Sequence, residues 1–135
     1  MLCLVGLAAC YSSSYRRELA ANVALVSDLS DKLFDYCRAD FVLNGTKLSS
    51  EEMGEFYYAL EKAQAFAAMD KAQSARPSYH AFKELLAGYA AFVKDADQYR
   101  LAAAPDPSTR IVLARDHNIV KINAAKVIDA LDQSD

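Results

Sequence analysis

The stretch RIVLARDHNIVKI, residues 110–122, decides whether this chain is helical throughout or contains a small sheet. It is rich in β-branched residues and alternates loosely between apolar and polar positions, and its Asp-His-Asn sequence at 116–118 could turn a hairpin. The same stretch also fits a helix, because Leu113 and Val120 follow a helical apolar spacing that continues beyond it. Asp106 suits the N-cap of that helix and Pro107 its first position. The cap and the length of the pattern favour the helix.

The apolar positions of this fourth segment cover a wide arc of the expected helix. One stripe contains Leu113, Val120, Ala124, Val127 and Leu131, and a second stripe beside it contains Val112, Ile119 and Ile122. A helix that is apolar over so wide an arc is typical of a buried position. We therefore expect the fourth helix to be the most buried one.

Three further segments show helical spacing and complete an all-α fold. The first covers residues 14–43 and is followed by Asn44-Gly45, a sequence suited to a helix end. The second begins with Ser49 three residues before Glu52, the pattern of a capping box, and fades near residue 73. The third begins near residue 77 or 78 and ends in the sequence AAAPDP. Four such helices with short connections predict an antiparallel up-down-up-down four-helix bundle, formed as one domain by residues 15–135.

A glycine inside the third segment predicts a close contact between two helices. Glycine in a helix costs about 1 kcal/mol relative to alanine, so we expect Gly88 to have a packing role. Counting outward from the turn near Ala75 places Gly88 level with Ala63, and both segments are rich in alanine there. We expect the second and third helices to approach closely at this level, so that Gly88→Leu overpacks their contact.

The composition agrees with one folded domain and excludes several classes of protein. Of the 135 residues only four are Gly and three are Pro, 53% are hydrophobic, and the net charge is −3. This length suits a single hydrophobic core, and the scarcity of helix breakers favours helices. Because the charge is nearly balanced, nothing in the composition suggests nucleic-acid binding, which requires a basic face. The cysteines at positions 3, 10 and 37 fit neither a disulfide framework nor a zinc site.

The first ten residues, MLCLVGLAAC, place a short apolar run directly before a cysteine. Residues 2–9 are too few for a membrane-spanning helix, which needs about 20 apolar residues, but they fit the apolar core of a signal peptide. The sequence Leu7-Ala8-Ala9-Cys10 resembles the lipobox of bacterial lipoproteins. No Lys or Arg precedes the apolar run, as a signal peptide would have, so the alternative is an apolar helix start with a cysteine in the core.

The resemblance to bacterial lipoproteins implies processing and a location. It implies cleavage between Ala9 and Cys10, removal of residues 1–9, and covalent attachment of lipid to Cys10, with residues 10–14 as a short tether. Because Tyr11 and not Asp follows the cysteine, the resemblance implies the outer membrane, with the domain in the periplasm. We expect no cofactor beyond the covalent lipid.

A tether this short would hold the first residues of the domain close to the lipid headgroups. Aromatic and cationic side chains are typical of that depth. Tyr11, Tyr15, Arg16 and Arg17 are therefore the candidates for contact with the membrane interface. The alternative is that these four residues simply solvate the start of a helix.

No catalytic or metal-binding motif is present in the sequence, and we expect no catalytic residue and no bound metal. GxGxxG, P-loop, GxSxG and HExxH sequences are absent, as is the haem-attachment sequence CxxCH. Neither His80 nor His117 follows a glutamate at the spacing that di-iron bundles use. We assign no role to His80, which we expect on the surface.

Two residues of the expected core carry chemistry that needs an interpretation. His117 lies on the apolar stripe of the fourth segment, where we interpret it as a core polar residue that is hydrogen-bonded to Tyr36 or Tyr57. The alternative is a ligand or a proton switch. Cys37 is expected to be a small buried apolar residue, although in an oxidising periplasm it could instead pair with a second chain.

These observations favour a membrane-anchored helical lipoprotein that acts as a protein-interaction or envelope-assembly module. Its partners would be the membrane, through the lipid, and another envelope protein, but no nucleic acid. In size, anchor and helicity alone it is similar to the small helical pilotins of secretion systems. The alternative is a bundle that binds a small ligand, haem or a metal between its helices, and the shortage of clustered His, Asp and Glu counts against a metal. Nothing in the sequence supports an enzyme.

Overall fold

The chain forms four α-helices. The computed structural model describes the backbone of residues 2–43, 48–101 and 107–133, and the side chains of residues 14–38, 48–101 and 107–133. The helices are α1 (Leu2–Leu43), α2 (Ser50–Met69), α3 (Pro77–Leu101) and α4 (Pro107–Asp132), and a short 3-10 helix, Lys71–Gln73, lies between α2 and α3. None of the described residues belongs to a β-strand, so the helical interpretation of residues 110–122 is confirmed and the hairpin is excluded.

Helix α2 begins at the capping box that the sequence predicts. The Ser49 hydroxyl accepts a hydrogen bond from the Glu52 backbone N–H at 3.0 Å, and the Glu52 carboxylate accepts one from the Ser49 N–H at 3.1 Å. The second of these bonds lowers the pKa of Glu52, because it favours the ionised carboxylate. Pro77 opens α3 as expected, whereas Gly45 and Asp106 lie outside the described residues.

The contacts of α1 with α2 and with α4 show the direction of these helices relative to one another. Near the beginning of α1, the Arg16 guanidinium donates to the Leu131 carbonyl at the end of α4. Later in α1, the Phe34 ring stacks on His117, which belongs to an earlier turn of α4. On the α2 side, Lys32 pairs with Glu55, and residue 15 contacts residue 66. Helix α1 is therefore antiparallel to both α2 and α4.

Helix α3 is antiparallel to α2 by the same criterion. The Tyr79 hydroxyl donates to the Ala67 carbonyl at 2.8 Å, and the Tyr89 hydroxyl donates to the Phe56 carbonyl at 3.0 Å. Along α3 the partners thus move backwards through α2. With the α1 contacts, this arrangement agrees with the predicted four-helix bundle.

Among the side chains that the structure describes, those of helix α3, and not those of α4, are the most buried. Helix α3 packs against α1, α2 and α4, whereas the main contacts of α4 are with α1 and α3. The prediction for α4 is wrong because its second stripe points outward: Ile119 is 40% exposed and Ile122 is 49% exposed. The first stripe does face the core, and the largest fully buried side chains come from all four helices: Tyr15, Leu19, Val26, Leu33, Met53, Phe56, Phe82, Leu85, Tyr89, Phe92, Val93 and Leu113.

Gly88 faces α4 and not α2. A Cβ atom added to Gly88 would lie 3.4 Å from the Asn123 amide nitrogen and 3.4 Å from a methyl group of Ile119. The predicted close contact with α2 at this residue is therefore wrong, although Ala63 is buried as expected. The height of a residue along a bundle can be found by counting residues from a turn. The neighbour that the residue faces depends in addition on how each helix is rotated about its axis.

Candidate functional site

An apolar groove opens between α1 and α4. Its volume is about 290 Å³, and we call it the α1–α4 groove. Cys37 and Leu113 are almost completely buried and form its floor, while Ile111 at its edge is 72% exposed. The groove is lined by Phe34, Cys37, Arg38, Arg110, Ile111, Leu113 and Ala114. It therefore combines an apolar interior with two guanidinium groups.

The exposed isoleucines of α4 form a second feature next to this groove. Ile111, Ile119 and Ile122, which we call the isoleucine strip, lie on the outer side of the helix. Eleven residues make about three helical turns, so Ile111 and Ile122 point in the same direction about 16 Å apart. Arg115 and Lys126 are exposed on the same helix. The strip thus presents apolar side chains beside positive charges.

His117 belongs to a polar cluster that joins α4 to α1. Its Nε2 atom lies 2.7 Å from a carboxylate oxygen of Asp31. The other oxygen of Asp31 accepts a hydrogen bond from Lys121 at 3.0 Å, and Lys121 also donates to the Ser27 hydroxyl at 2.6 Å. Partial burial of Asp31 opposes its ionisation, but the hydrogen bonds from His117 and Lys121 outweigh it and lower the pKa of Asp31. These contacts form a polar border along one side of the α1–α4 interface.

The predicted partners of His117 are therefore wrong. The Tyr57 hydroxyl instead donates to Asp97 at 2.6 Å, a bond that with partial burial raises the pKa of Tyr57 to about 12. Tyr36 packs edge-on against Phe56 with ring centroids 6.4 Å apart. His117 is a packed histidine at the margin of the core, since its ring stacks on Phe34 with centroids 4.4 Å apart.

Sequence reasoning missed the α1 half of this cluster, although a signal was present. Ser27 and Asp31 are four residues apart on α1, and His117 and Lys121 are four residues apart on α4. Residues at this spacing share one face of a helix. Two such polar pairs beside apolar stripes on antiparallel neighbours indicate a polar contact between the helices.

A second buried polar group lies on the opposite side of α4. Asp116 is 6% exposed, and its Oδ2 atom accepts no hydrogen bond from any residue that the structure describes. Burial, followed by interaction with the carboxyl group of Asp95 on α3, raises the pKa of Asp116 to about 7. The two carboxyl groups form an acid pair between α3 and α4 that holds a proton far above the pH at which an exposed aspartate loses it.

The predictions for the residues near the amino terminus differ in how they stand against the structure. Ala9, Cys10 and Tyr11 lie in the helical backbone of α1, but their side chains lie outside the described residues, so cleavage and lipidation remain predictions. Tyr15 is 1% exposed and its hydroxyl lies 3.0 Å from the hydroxyl of Ser78. Its assignment to the membrane interface is wrong, because the ring packs inside the bundle.

The two arginines that follow Tyr15 also differ from each other. Arg16 is held against the end of α4 by its bond to Leu131, whereas Arg17 is exposed. Only Arg17 of the described candidates is left with an open side chain for an interface. No described helix has an apolar stretch of the length that crossing a bilayer requires.

The remaining residues of chemical interest are distributed across the bundle. Cys37 is buried as expected, at 3% exposure, and His80 is exposed. Across the described side chains, no three His, Cys, Asp or Glu residues come together as a metal site. Among the described residues, the groove, the isoleucine strip and the two polar clusters are thus the candidate functional features.

Comparison with known proteins returns no relative. No protein family model matches the chain, and neither a curated protein sequence nor a solved structure is significantly similar to it.

Proposed function

We propose that this protein is a membrane-anchored helical lipoprotein that acts as an interaction module in the bacterial envelope, with the isoleucine strip as its docking surface. The observation that carries the proposal is the exposure of Ile111, Ile119 and Ile122 on one side of α4. Scattered exposed apolar residues are ordinary, but several along one helix face are typical of an interaction site.

The chemistry of this face favours an acidic amphipathic helix as the partner. The strip is straight and about three turns long, which suits a helix laid along it. Arg115 and Lys126 are exposed on the same helix, and complementary charge sets the orientation and speed of docking. An apolar face bordered by Asp or Glu would satisfy both features.

The proposed anchor rests on the lipobox-like residues Leu7 to Cys10. One acyl chain gives only reversible membrane binding, whereas two or more give stable attachment. A chain lipidated at Cys10 would therefore be confined to the membrane surface, where a partner of moderate affinity is sufficient.

Metabolic labelling with radioactive palmitate in a bacterial host tests the anchor. We expect label in the wild type and none in Cys10→Ala, because the acylated thiol is lost. Cys3→Ala is the matched control, since it removes a cysteine from the same segment and should keep the label. Recovery of unlabelled protein that still begins with Met1 would contradict the anchor.

Site-specific crosslinking tests the docking surface. A photoreactive residue at position 118, between the isoleucines, should crosslink one envelope protein, and Ile122→Lys should abolish that product. Lys126→Ala tests the charge requirement and should weaken crosslinking more at low salt than at high salt. An identical crosslinking pattern for the wild type and Ile122→Lys would exclude the strip as the docking surface.

A further inference from the structure

The α1–α4 groove has the properties of a small ligand site in addition to the isoleucine strip. Ligand sites are concave and mostly apolar, with a few polar groups that orient the ligand, and their volumes begin near about 300 Å³. At about 290 Å³ the groove lies at the lower limit of this range. That volume suits one flexible chain and is too small for a large planar cofactor.

The polar groups of the groove are cationic. Arg38 and Arg110 both line it, and none of the lining residues that the structure describes is acidic. Arg38 pairs with Asp35 at 3.0 Å, but both side chains are more than half exposed, so this surface pair contributes little. Arg110 also has an interaction within the protein. A guanidinium group has five N–H donors, so these existing contacts leave others that can bind an anionic group.

The remaining walls supply apolar contact along the length of a chain. The Phe34 ring lies on the α1 side. Since the ring stacks on His117 and the Arg38 guanidinium lies over it at 5.8 Å from its centre, the ring edge is the part that it offers to a chain. Leu113 and Ala114 lie on the α4 side. An apolar cavity without polar partners for water favours an apolar occupant.

We propose that the α1–α4 groove binds one acyl chain that carries an anionic head group. The chain lies against Phe34 and Leu113, and the head group is held by Arg38 and Arg110. A carboxylate or a phosphate meets this requirement, because each offers the paired oxygens that guanidinium groups bind. Two sources share this chemistry, a free fatty acid and the acyl chain of an anionic membrane lipid.

Calorimetric titration of the purified chain with fatty acids of increasing length tests the apolar part of the site. From hexanoate to decanoate we expect the affinity to rise by up to about fourfold per methylene, the equivalent of its burial, until the groove is filled. Decanol should bind about tenfold more weakly than decanoate, because it lacks the charge that the arginines bind. Equal affinities for the two would overturn the proposal.

Two alanines of α4 give a matched pair of variants. Ala114 lines the groove, whereas Ala125, which is also exposed, lies three turns later and does not line it. Leucine is well tolerated in helices, so both variants should fold. Ala114→Leu should weaken decanoate binding at least about tenfold by filling the groove, and Ala125→Leu should leave it unchanged. Equal binding by both variants would place the ligand elsewhere.

The role of the arginines is tested by comparing ligands with and without a charged head group. Arg38→Gln and Arg110→Gln should each weaken decanoate binding by about tenfold and leave decanol binding unchanged. Arg115→Gln removes an exposed arginine of α4 outside the groove and is the control. If decanol binding falls as much as decanoate binding, the arginines support the fold and do not hold a head group, and the proposal fails.

Competition distinguishes the two sources of the ligand. Phosphatidylglycerol vesicles that displace decanoate would identify membrane lipid as a source, and failure of such vesicles to compete would identify free anionic amphiphiles. Ile122→Lys should bind decanoate like the wild type, because Ile122 does not line the groove. Loss of decanoate binding in a folded Ile122→Lys variant would contradict this assignment.

Discussion

Helix α4 carries an aspartate contact on each of its two sides. Towards α1, His117 and Lys121 bind Asp31, whose side chain is 48% exposed. Towards α3, Asp116 meets Asp95 and is 6% exposed. The same type of side chain thus faces a histidine and a lysine in one interface and another acid in the other.

This difference gives the two interfaces opposite responses to protons. The pKa of Asp31 is lowered, so ionisation of this group stabilises the folded state. The pKa of Asp116 is raised to about 7, so ionisation of that group opposes folding. The comparison shows that burial and charge partners, and not residue type, decide what an aspartate contributes to this bundle.

Among the expected effects, the largest difference in stability between the two sides of α4 should come from truncating one aromatic side chain on each side. Phe92 on α3 is fully buried, whereas Phe34 on α1 is only partly buried. We expect Phe92→Ala to lower the free energy of unfolding by about 3–5 kcal/mol, the typical cost of a large core cavity. Phe34→Ala should cost roughly half as much, because its ring removes less surface from water. Urea denaturation followed by circular dichroism measures both, and equal losses would break the comparison.

Stability as a function of pH tests the acid pair directly. Because the folded-state pKa of Asp116 is raised, its contribution is complete below the unfolded pKa and is lost as pH rises to about 7. We expect the free energy of unfolding to fall by about 2–4 kcal/mol between pH 4 and pH 8. Asp116→Asn should remove this slope, as measured by urea denaturation at each pH.

Two further variants make the pH experiment specific. Asp95→Asn should keep part of the slope, because burial is the first cause of the raised pKa and the Asp95 charge comes after it. Asp129→Asn, an exposed change on the same helix, should keep all of it. A wild-type slope in Asp116→Asn would show that another group titrates.

Overpacking at Gly88 tests how closely α3 approaches α4. A Cβ atom at Gly88 just fits at 3.4 Å from Ile119 and Asn123, so larger side chains must displace these residues. We expect Gly88→Leu to lower the free energy of unfolding by about 1–3 kcal/mol. Gly54→Leu is the matched control, because nothing lies within 4 Å of a Cβ atom there. It should stabilise α2 by up to about 1 kcal/mol through helix propensity, and thermal denaturation that ranks the two variants in reverse would contradict the packing.

The smallest effect is expected at the exposed cluster around Asp31. Because the pKa of Asp31 is lowered, its contribution is present above the unfolded pKa and disappears as pH falls below it. Asp31→Asn should cost at most about 1 kcal/mol at neutral pH, since the cluster is partly solvated, and less at high salt. As the pH falls through the lowered folded-state pKa of Asp31, the urea unfolding curves of the variant and the wild type should converge. Asp28→Asn, an exposed change one turn earlier, serves as the control.

Much of the secondary structure was predictable from local signals. The capping box at Ser49 and the proline at position 77 mark helix starts that the structure confirms. The first apolar stripe of α4 also faces the core as expected. These features depend on contacts within one or two turns, which the order of residues along the chain specifies directly.

The candidate site was less predictable because it depends on how helices are rotated against each other. Ile119 and Ile122 fit an apolar stripe, yet α4 packs mainly through the stripe of Leu113 and Val120 and leaves Ile119 40% and Ile122 49% exposed. Of the polar residues between Leu113 and Val120, only His117 was expected in the core, and burial of Asp116 was not predicted. The proximity of Asp116 to Asp95 could not be read from α4 alone. The groove likewise requires α1 and α4 together.

What the sequence determined by itself was the set of four helices, the starts of α2 and α3 and the core stripe of α4, since caps, prolines and apolar spacing are local signals. The start of α1 was not among them, because the structure has this helix from Leu2 and the apolar pattern predicted it from residue 14. Only the tertiary structure decided that His117 binds Asp31, 86 residues away in the chain, that Tyr15 is buried, and that Gly88 faces α4. Such choices depend on the rotation and separation of whole helices, which many weak side-chain contacts determine together and no local pattern specifies.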